Sequence, residues 1–401
     1  MGVRTRLLRF AAGRPPVFVA AAPGGTRTRL LVESELRRRN GRTAASPAAA
    51  SVLVVCGRPG AALAEAVDAV WDAMPGPRAL VRLDEAASRA EVDAGIDRAV
   101  RELSDVAAQQ ADAAERRERG PWSPSGMDGH TAQSGGHADH SGHEHHTGLA
   151  MAGRADDRDG LKLDVLHVPL GPVLKDWPAG LVLGLTLQGD VVQAVEVDVA
   201  EGAAGGVPYW DEPWLRAAAG ERVTVGEAER RRAAGHLDSA GRLLAVAGWE
   251  GAAEEARLLR DLALAGEAPA ELPARFARFA RRVKGSRTLR WMLGGIGRID
   301  QGFAGRHGLT GPPARHPGDV LARLHGWLDG TGEALVRTGD PAPLRGTDGP
   351  RGPVGAMPSR AVLALLPELL GGAELAAARL TVASLDPDVE QLTETAWTAH
   401  E

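Results

Sequence analysis

Between Gly120 and Gly153 the chain loses every hydrophobic period, so the residues on either side read as two domains joined by a linker. The interruption is rich in Gly, Ser and His and holds six of the twelve histidines. Read as a disordered linker over 118–159, it separates an α/β domain (1–117) from an α+β domain (160–401). The second comprises an antiparallel β-hairpin or sheet (160–200), a helical bundle (224–377) and a C-terminal strand or tail (378–401). Both parts are long enough to bury a core, and 44% of the chain is apolar.

In the first part, Val17-Phe18-Val19 and Val52-Leu53-Val54-Val55 are short β-branched runs of buried-strand type. Gly57-Arg58-Pro59-Gly60 stops the second, a helix bearing Leu63, Val67, Val70 and Trp71 follows, and Ala79-Leu80-Val81 reads as another strand. Asp84 to Arg116 reads as one long polar helix. In the second part, Leu181–Leu187 and Val191–Val199 pair as antiparallel strands across Gln188-Gly189-Asp190. The period turns helical after Thr224. Pro273–Met292, Val320–Val336 and Arg360–Leu370 are expected helices, and Arg379–Leu385 an extended segment.

Cysteine usage excludes one class of chemistry. A single Cys56 can supply neither an intramolecular disulfide nor the thiolates of an iron-sulfur cluster or a closed zinc site. It ends an apolar strand and reads as a small buried hydrophobe. A net charge of -5 gives no global field for nucleic acid, so no nucleic-acid partner is expected. No run of about 18 apolar residues occurs, and the basic start Met1–Arg9 lacks a signal core. The expected location is cytoplasmic, with the inner face of the cell membrane as a peripheral alternative.

Two clusters carry potential chemistry. His130, His137, His140, His143, His145 and His146 sit beside Asp128, Asp139 and Glu144, a donor set for Zn, Ni or Cu. Closing a Gly/Ser-rich loop around an ion costs backbone entropy, so a solvated linker that meets metal adventitiously stands against a storage or delivery site. The second cluster is Arg275, Arg278, Arg281, Arg282, Lys284, Arg287 and Arg290, free of acids, with Phe276, Phe279 and Val283 at helical spacing. It fits a docking face for an acidic partner or anionic membrane, or the solvated side of a core helix. Gly294-Gly295-Ile296-Gly297 follows a helix and lacks the Lys-Ser/Thr of a phosphate loop, so it reads as a terminator. Asp156-Asp157-Arg158-Asp159 has no assignable acid/base partner.

Ala50–Gly57 followed by Trp71-Asp72-Ala73-Met74-Pro75-Gly76-Pro77-Arg78 resembles the B subunit of NADH-quinone oxidoreductase (respiratory complex I), which carries a terminal iron-sulfur cluster. Gly171-Pro172, Pro178-Ala179-Gly180-Leu181, the Gly189-Asp190 turn and Ala383-Ser384-Leu385-Asp386 resemble the D subunit of that complex. The resemblance implies a B-like domain fused to a D-like one, with complex I-type subunits as partners. It also shows what is missing. Ala20-Ala21-Ala22-Pro23 stands where the B subunit has twin cysteines, and Gly171–Gly180 has no histidine where the D subunit has its quinone-site pair. No catalytic residue and no resident cofactor carries over. The reading is an accessory, assembly or regulatory protein with the redox ligands lost, the alternatives being a metal-handling protein built on the linker histidines and a subunit that lends a quinone or nucleotide pocket.

Overall fold

The computed structural model describes residues 13–119, 154–156, 162–200, 202, 206–266 and 270–392. The six linker histidines lie outside them, so the expected metal site does too. The first domain runs β1 (Pro16–Ala21), α1 (Thr26–Arg38), β2 (Arg42–Thr43), β3 (Val52–Cys56), α2 (Ala61–Ala73), β4 (Ala79–Leu83), α3 (Arg89–Ser104) and α4 (Val106–Arg119). Its sheet is wholly parallel, ordered β2-β1-β3-β4. Every residue of β3 is buried, as a strand covered on both faces requires. Val17, Val52, Val54 and Val81 pack with α1 and α3 on one face, and Phe18, Leu53 and Val55 with Leu63 and Val67 of α2 on the other.

The second domain contains β5 (Arg154–Asp156), β6 (Lys162–Leu170), β7 (Leu181–Gln188) and β8 (Val191–Val199), an antiparallel sheet in that order. The expected hairpin is β7–β8, with Gln188 opposite Val191. Leu181, Leu183, Leu185 and Leu187 alternate inward from β7. The helices are α5 (Glu212–Ala218), α6 (Val225–Val246), α7 (Glu250–Leu264), α8 (Leu272–Lys284), α9 (Arg287–Leu293), α10 (Gln301–Arg306), α11 (Pro312–Arg315) and α12 (Val320–Val336). A small β9–β10 ladder (Asp348–Gly349, Gly352–Pro353) precedes α13 (Pro358–Leu370) and α14 (Leu375–Leu385). Leu237, Leu244, Leu259, Phe279 and Trp327 anchor the bundle core, and β7 packs on Leu366 and Val382.

Three expected elements differ. The helix expected over Asp84–Arg116 is two. Ser88 and Glu91 form a capping box on α3, and the Asp105 carboxylate accepts the Ala107 and Ala108 amides to restart the chain as α4. Pro273–Met292 is also divided: Gly285 ends α8, and Ser286 caps α9 through the Leu289 amide. The segment read as a C-terminal strand is α14. Ala376-Ala377-Ala378 favour a helix, Thr381 returns its hydroxyl to the Ala377 carbonyl, and no strand among the described residues pairs with it. Beyond it Asp386 is left-handed (φ 44), and Val389–Leu392 forms a buried 3₁₀ turn.

Candidate functional site

In an open parallel sheet, ligands gather at the carboxyl ends of the strands, where successive connections leave in opposite directions. Here that place is between β1 and β3, whose connections leave toward β2 and β4. The chain leaves β1 through Ala22-Pro23-Gly24-Gly25, and the turn after β3 presses so close that a Cβ on Gly25 would lie 2.2 Å from the Cys56 carbonyl oxygen. The second domain closes this crevice with residues 386–391. Gly25 offers α1 no capping side chain. The cap comes instead from across the molecule: Glu390 Oε1 accepts the amides of Gly24 (3.0 Å) and Thr26 (3.1 Å), and Oε2 accepts that of Tyr209 (2.9 Å).

A buried ion network runs behind this contact. Arg29 of α1 holds Asp238 of α6 with two hydrogen bonds, 2.7 and 3.2 Å, and Glu33 at 2.9 Å. Arg260, 0% exposed, donates to Glu33 (2.8 Å) and Asp238 (2.6 Å). Arg242 reaches Asp238 (3.2 Å) and Asp386 (2.8 Å), and Arg351 meets Asp386 at 2.5 Å and Ser239 at 2.7 Å. Burial opposes ionisation of Asp238, but Arg29, Arg242 and Arg260 overcome it and hold the carboxyl well below its usual range.

Between the network and β1 lies a cavity of about 90 Å³. Ala20 and Ala21 of β1 face it together with Pro172, Leu174, Asp176 and Trp177 of the segment before β7. The two stretches therefore meet at one place. Asp176 pairs with Arg257 at 2.5 Å, and Trp177 donates to the Leu181 carbonyl at 2.8 Å. Arg242, Arg351 and Asp388 also line the cavity.

Asp388 differs from the paired carboxylates. Its Oδ1 accepts the Glu390 amide at 3.1 Å, while Oδ2 is buried without a hydrogen bond among the described residues. Burial, then the charges of Glu390 and Asp211, push its pKa well above the usual range, so the group holds a proton. Above the ordinary carboxylate pKa the unfolded chain releases that proton and the folded chain keeps it. Stability from Asp388 is thus complete below that pKa and falls by about 1.4 kcal/mol per pH unit until the folded group ionises. Asp388→Asn should abolish this loss and make the protein more stable than wild type at pH 7. Urea midpoints from pH 4 to 8 measure it, and parallel curves for the two proteins would refute it.

The expected basic helix is α8 continued into α9, and its cations divide into two sets. Arg275 and Arg282 approach Glu255, and Lys284 bonds Asp329. Arg278, Arg281, Arg287 and Arg290 are exposed and take no acidic partner among the described residues. Beside them Trp291 is 84% exposed. Cys56 is buried and its thiol pKa raised by desolvation, in keeping with a packed hydrophobe. His236 is likewise buried, and burial with Arg232, Arg351 and Arg315 keeps it neutral.

Sequence reasoning missed Arg29, Glu33, Asp238, Arg242, Arg257, Arg260, Arg351 and Asp388. Nothing in the local sequence around the arginines at 29, 242, 257 and 260 marks them as buried. The available signal was Asp238-Ser239 inside the apolar run from Leu237 to Leu244.

No family model and no curated protein matches the chain. Among solved structures it is similar to a chain in the membrane-bound sulfane sulfur reductase (MBS), an archaeal respiratory membrane complex. The identity is 16%, the match covers 57% of this chain and 98% of that one, and the TM-score is 0.39.

Proposed function

We propose that the protein is an accessory or assembly subunit of a complex I-type quinone oxidoreductase, a non-redox member that docks through α8 and α9. The observation that carries this reading is the exposure of Arg278, Arg281, Arg287 and Arg290 on α8 and α9, with the exposed Trp291 in the same stretch of chain. An exposed tryptophan in a stretch of cations that take no acidic partner among the described residues is costly to keep in water and suits an interface with an acidic surface. The single cysteine supports the non-redox part, since the chain cannot ligate an iron-sulfur cluster alone. No helix among the described residues is long and apolar enough to cross a membrane, so attachment to a membrane assembly is peripheral in this reading.

Arg282 and Lys284 are already neutralised internally, which makes Arg287, Arg290 and Trp291 the residues to change. Tagged protein purified from its native cells in mild detergent should carry complex I-type subunits identifiable by mass spectrometry. Arg287→Glu, Arg290→Glu and Trp291→Ala together should reduce their recovery at least tenfold without altering the melting temperature. Unchanged recovery would overturn the docking face, and wild-type protein without those subunits would overturn the accessory reading.

A further inference from the structure

We infer that α8 and α9 form an adhesion face for an anionic lipid surface, with Arg278, Arg281, Arg287 and Arg290 against the headgroups and Trp291 inserted at the membrane–water boundary. The inference rests on the docking reading of these two helices and names what they meet.

Helix geometry puts these residues on the outer side of the bundle. Phe276, Phe279 and Val283 of α8 and Leu289 and Leu293 of α9 are buried in the same core as Leu324 and Trp327 of α12, on which both helices pack. At about 100° per residue, Arg278 and Arg281 fall opposite the buried side of α8. Arg287 and Trp291, one turn apart, fall opposite that of α9, and Arg290 flanks them. All five are exposed, so both sets point away from α12. Trp291 is 84% exposed, and Gly294 and Gly295 follow α9 in the open, without side chains to hold it off a flat surface.

Charge and side-chain chemistry then favour lipid over protein. No acid occurs between Glu271 and Asp300, and the acids that the fold brings beside these helices, Glu255 and Asp329, are held by Arg275, Arg282 and Lys284. The free charge is therefore of one sign. A protein interface fixes its register by matched patterns of charge, whereas a face of one sign suits a surface that has no register. Tryptophan joins an apolar ring to one N–H donor, the combination that concentrates it at membrane boundaries. Phe276 and Phe279 are committed to the core, so α8 cannot lie in the membrane on its apolar side, and Trp291 is left as the anchor. Attachment is thus electrostatic first. The net charge of -5 sets the rest of the molecule against an anionic surface, which turns this face toward it.

Sedimentation of the full-length protein with phosphatidylcholine vesicles, with and without about 30% phosphatidylglycerol, tests the assignment. Each free arginine is worth roughly fivefold in partitioning to an anionic surface, so the mixed vesicles should bind about a hundredfold or more better than the neutral ones. Raising salt from about 0.1 M to about 1 M cuts the screening length from about 10 Å to about 3 Å and should remove most of that gain. Arg287→Glu with Arg290→Glu should weaken binding to the mixed vesicles at least tenfold, and Trp291→Ala about threefold or more. Arg89→Glu with Arg101→Glu makes the same charge change at exposed sites on α3 and should leave binding within about threefold of wild type. Equal binding to both kinds of vesicle, or an equal loss in the two double variants, would overturn the proposal. Absence of vesicle binding in a protein that still recovers complex I-type subunits would overturn it too, and would assign the face to an acidic protein surface. Binding to mixed vesicles as described, without recovery of those subunits, would support the lipid face and overturn the accessory reading alone.

Discussion

Asp238→Ala should lower the unfolding free energy by about 3–5 kcal/mol, because it strands Arg29, Arg242 and Arg260 in the interior without their shared counter-ion. The size of the effect comes from burial. Asp238 is 1% exposed and Arg260 0%, so water cannot replace the lost charge. Asp68→Ala provides the contrast: its pair with Arg82 at 3.3 Å lies with both side chains more than half exposed, and its loss should cost under about 0.5 kcal/mol. Urea denaturation at pH 7 measures both. Equal midpoints for the two variants would show that the network contributes no stability beyond that of a surface pair.

The same residue contributes to the acid limb of the stability profile. The carboxyl of Asp238 is depressed in the folded state, so its contribution is present above the ordinary carboxylate pKa and is lost as pH falls through the folded value. Asp388 acts with the opposite sign, and these two groups alone place a stability maximum near the ordinary carboxylate range. A neutral replacement at 238 removes that residue's share of the acid limb, and one at 388 removes its share of the alkaline limb.

The strands were legible where burial is two-sided or strictly alternating. Val52–Cys56 is apolar throughout because helices cover both faces, and Leu181–Leu187 alternates because one face meets α13 and α14. Helix α1 was not, since its core contacts are few and arginines open and close it. Those arginines are the point. Arg29 and Arg37 read as surface residues because their counter-ions, Asp238 and Asp261, lie more than 200 positions away, beyond the reach of any local pattern. Residues 378–392 were misread for a related reason. Thr381, Val382 and Ser384 suit a strand locally, but the available surface is a helix-packed interface, and tertiary burial decides. The basic cluster was visible as composition; which of its members are free depended on Glu255 and Asp329, which only the fold brings near.

Glu390→Ala should separate the domains locally before it unfolds either of them. One carboxylate here satisfies three backbone donors, two of them at the start of α1, and alanine leaves the Thr26 amide buried without an acceptor. Charge-assisted bonds of this kind are worth about 1.5–3 kcal/mol each but do not add, so a total of about 2–4 kcal/mol is expected. At 1.4 kcal/mol per factor of ten, amide exchange at Gly24, Thr26 and Tyr209 should accelerate by roughly one to three orders of magnitude. Amides of β3 and of α6 should keep their rates, since the backbone groups the carboxylate accepts from are Gly24, Thr26 and Tyr209. Glu390→Gln retains an acceptor oxygen and should lie between. The charge has a second effect, because Glu390 is among the groups that keep Asp388 protonated. Either replacement should therefore bring the Asp388 pKa down, so that the fall in stability, which still begins at the ordinary carboxylate pKa, ends at lower pH and is smaller. A carbon-detected carboxyl titration of Asp388 in both variants reads this directly. Accelerated exchange spread evenly over the whole chain, with Asp388 unmoved, would show that Glu390 supports global stability and not the seam between the domains.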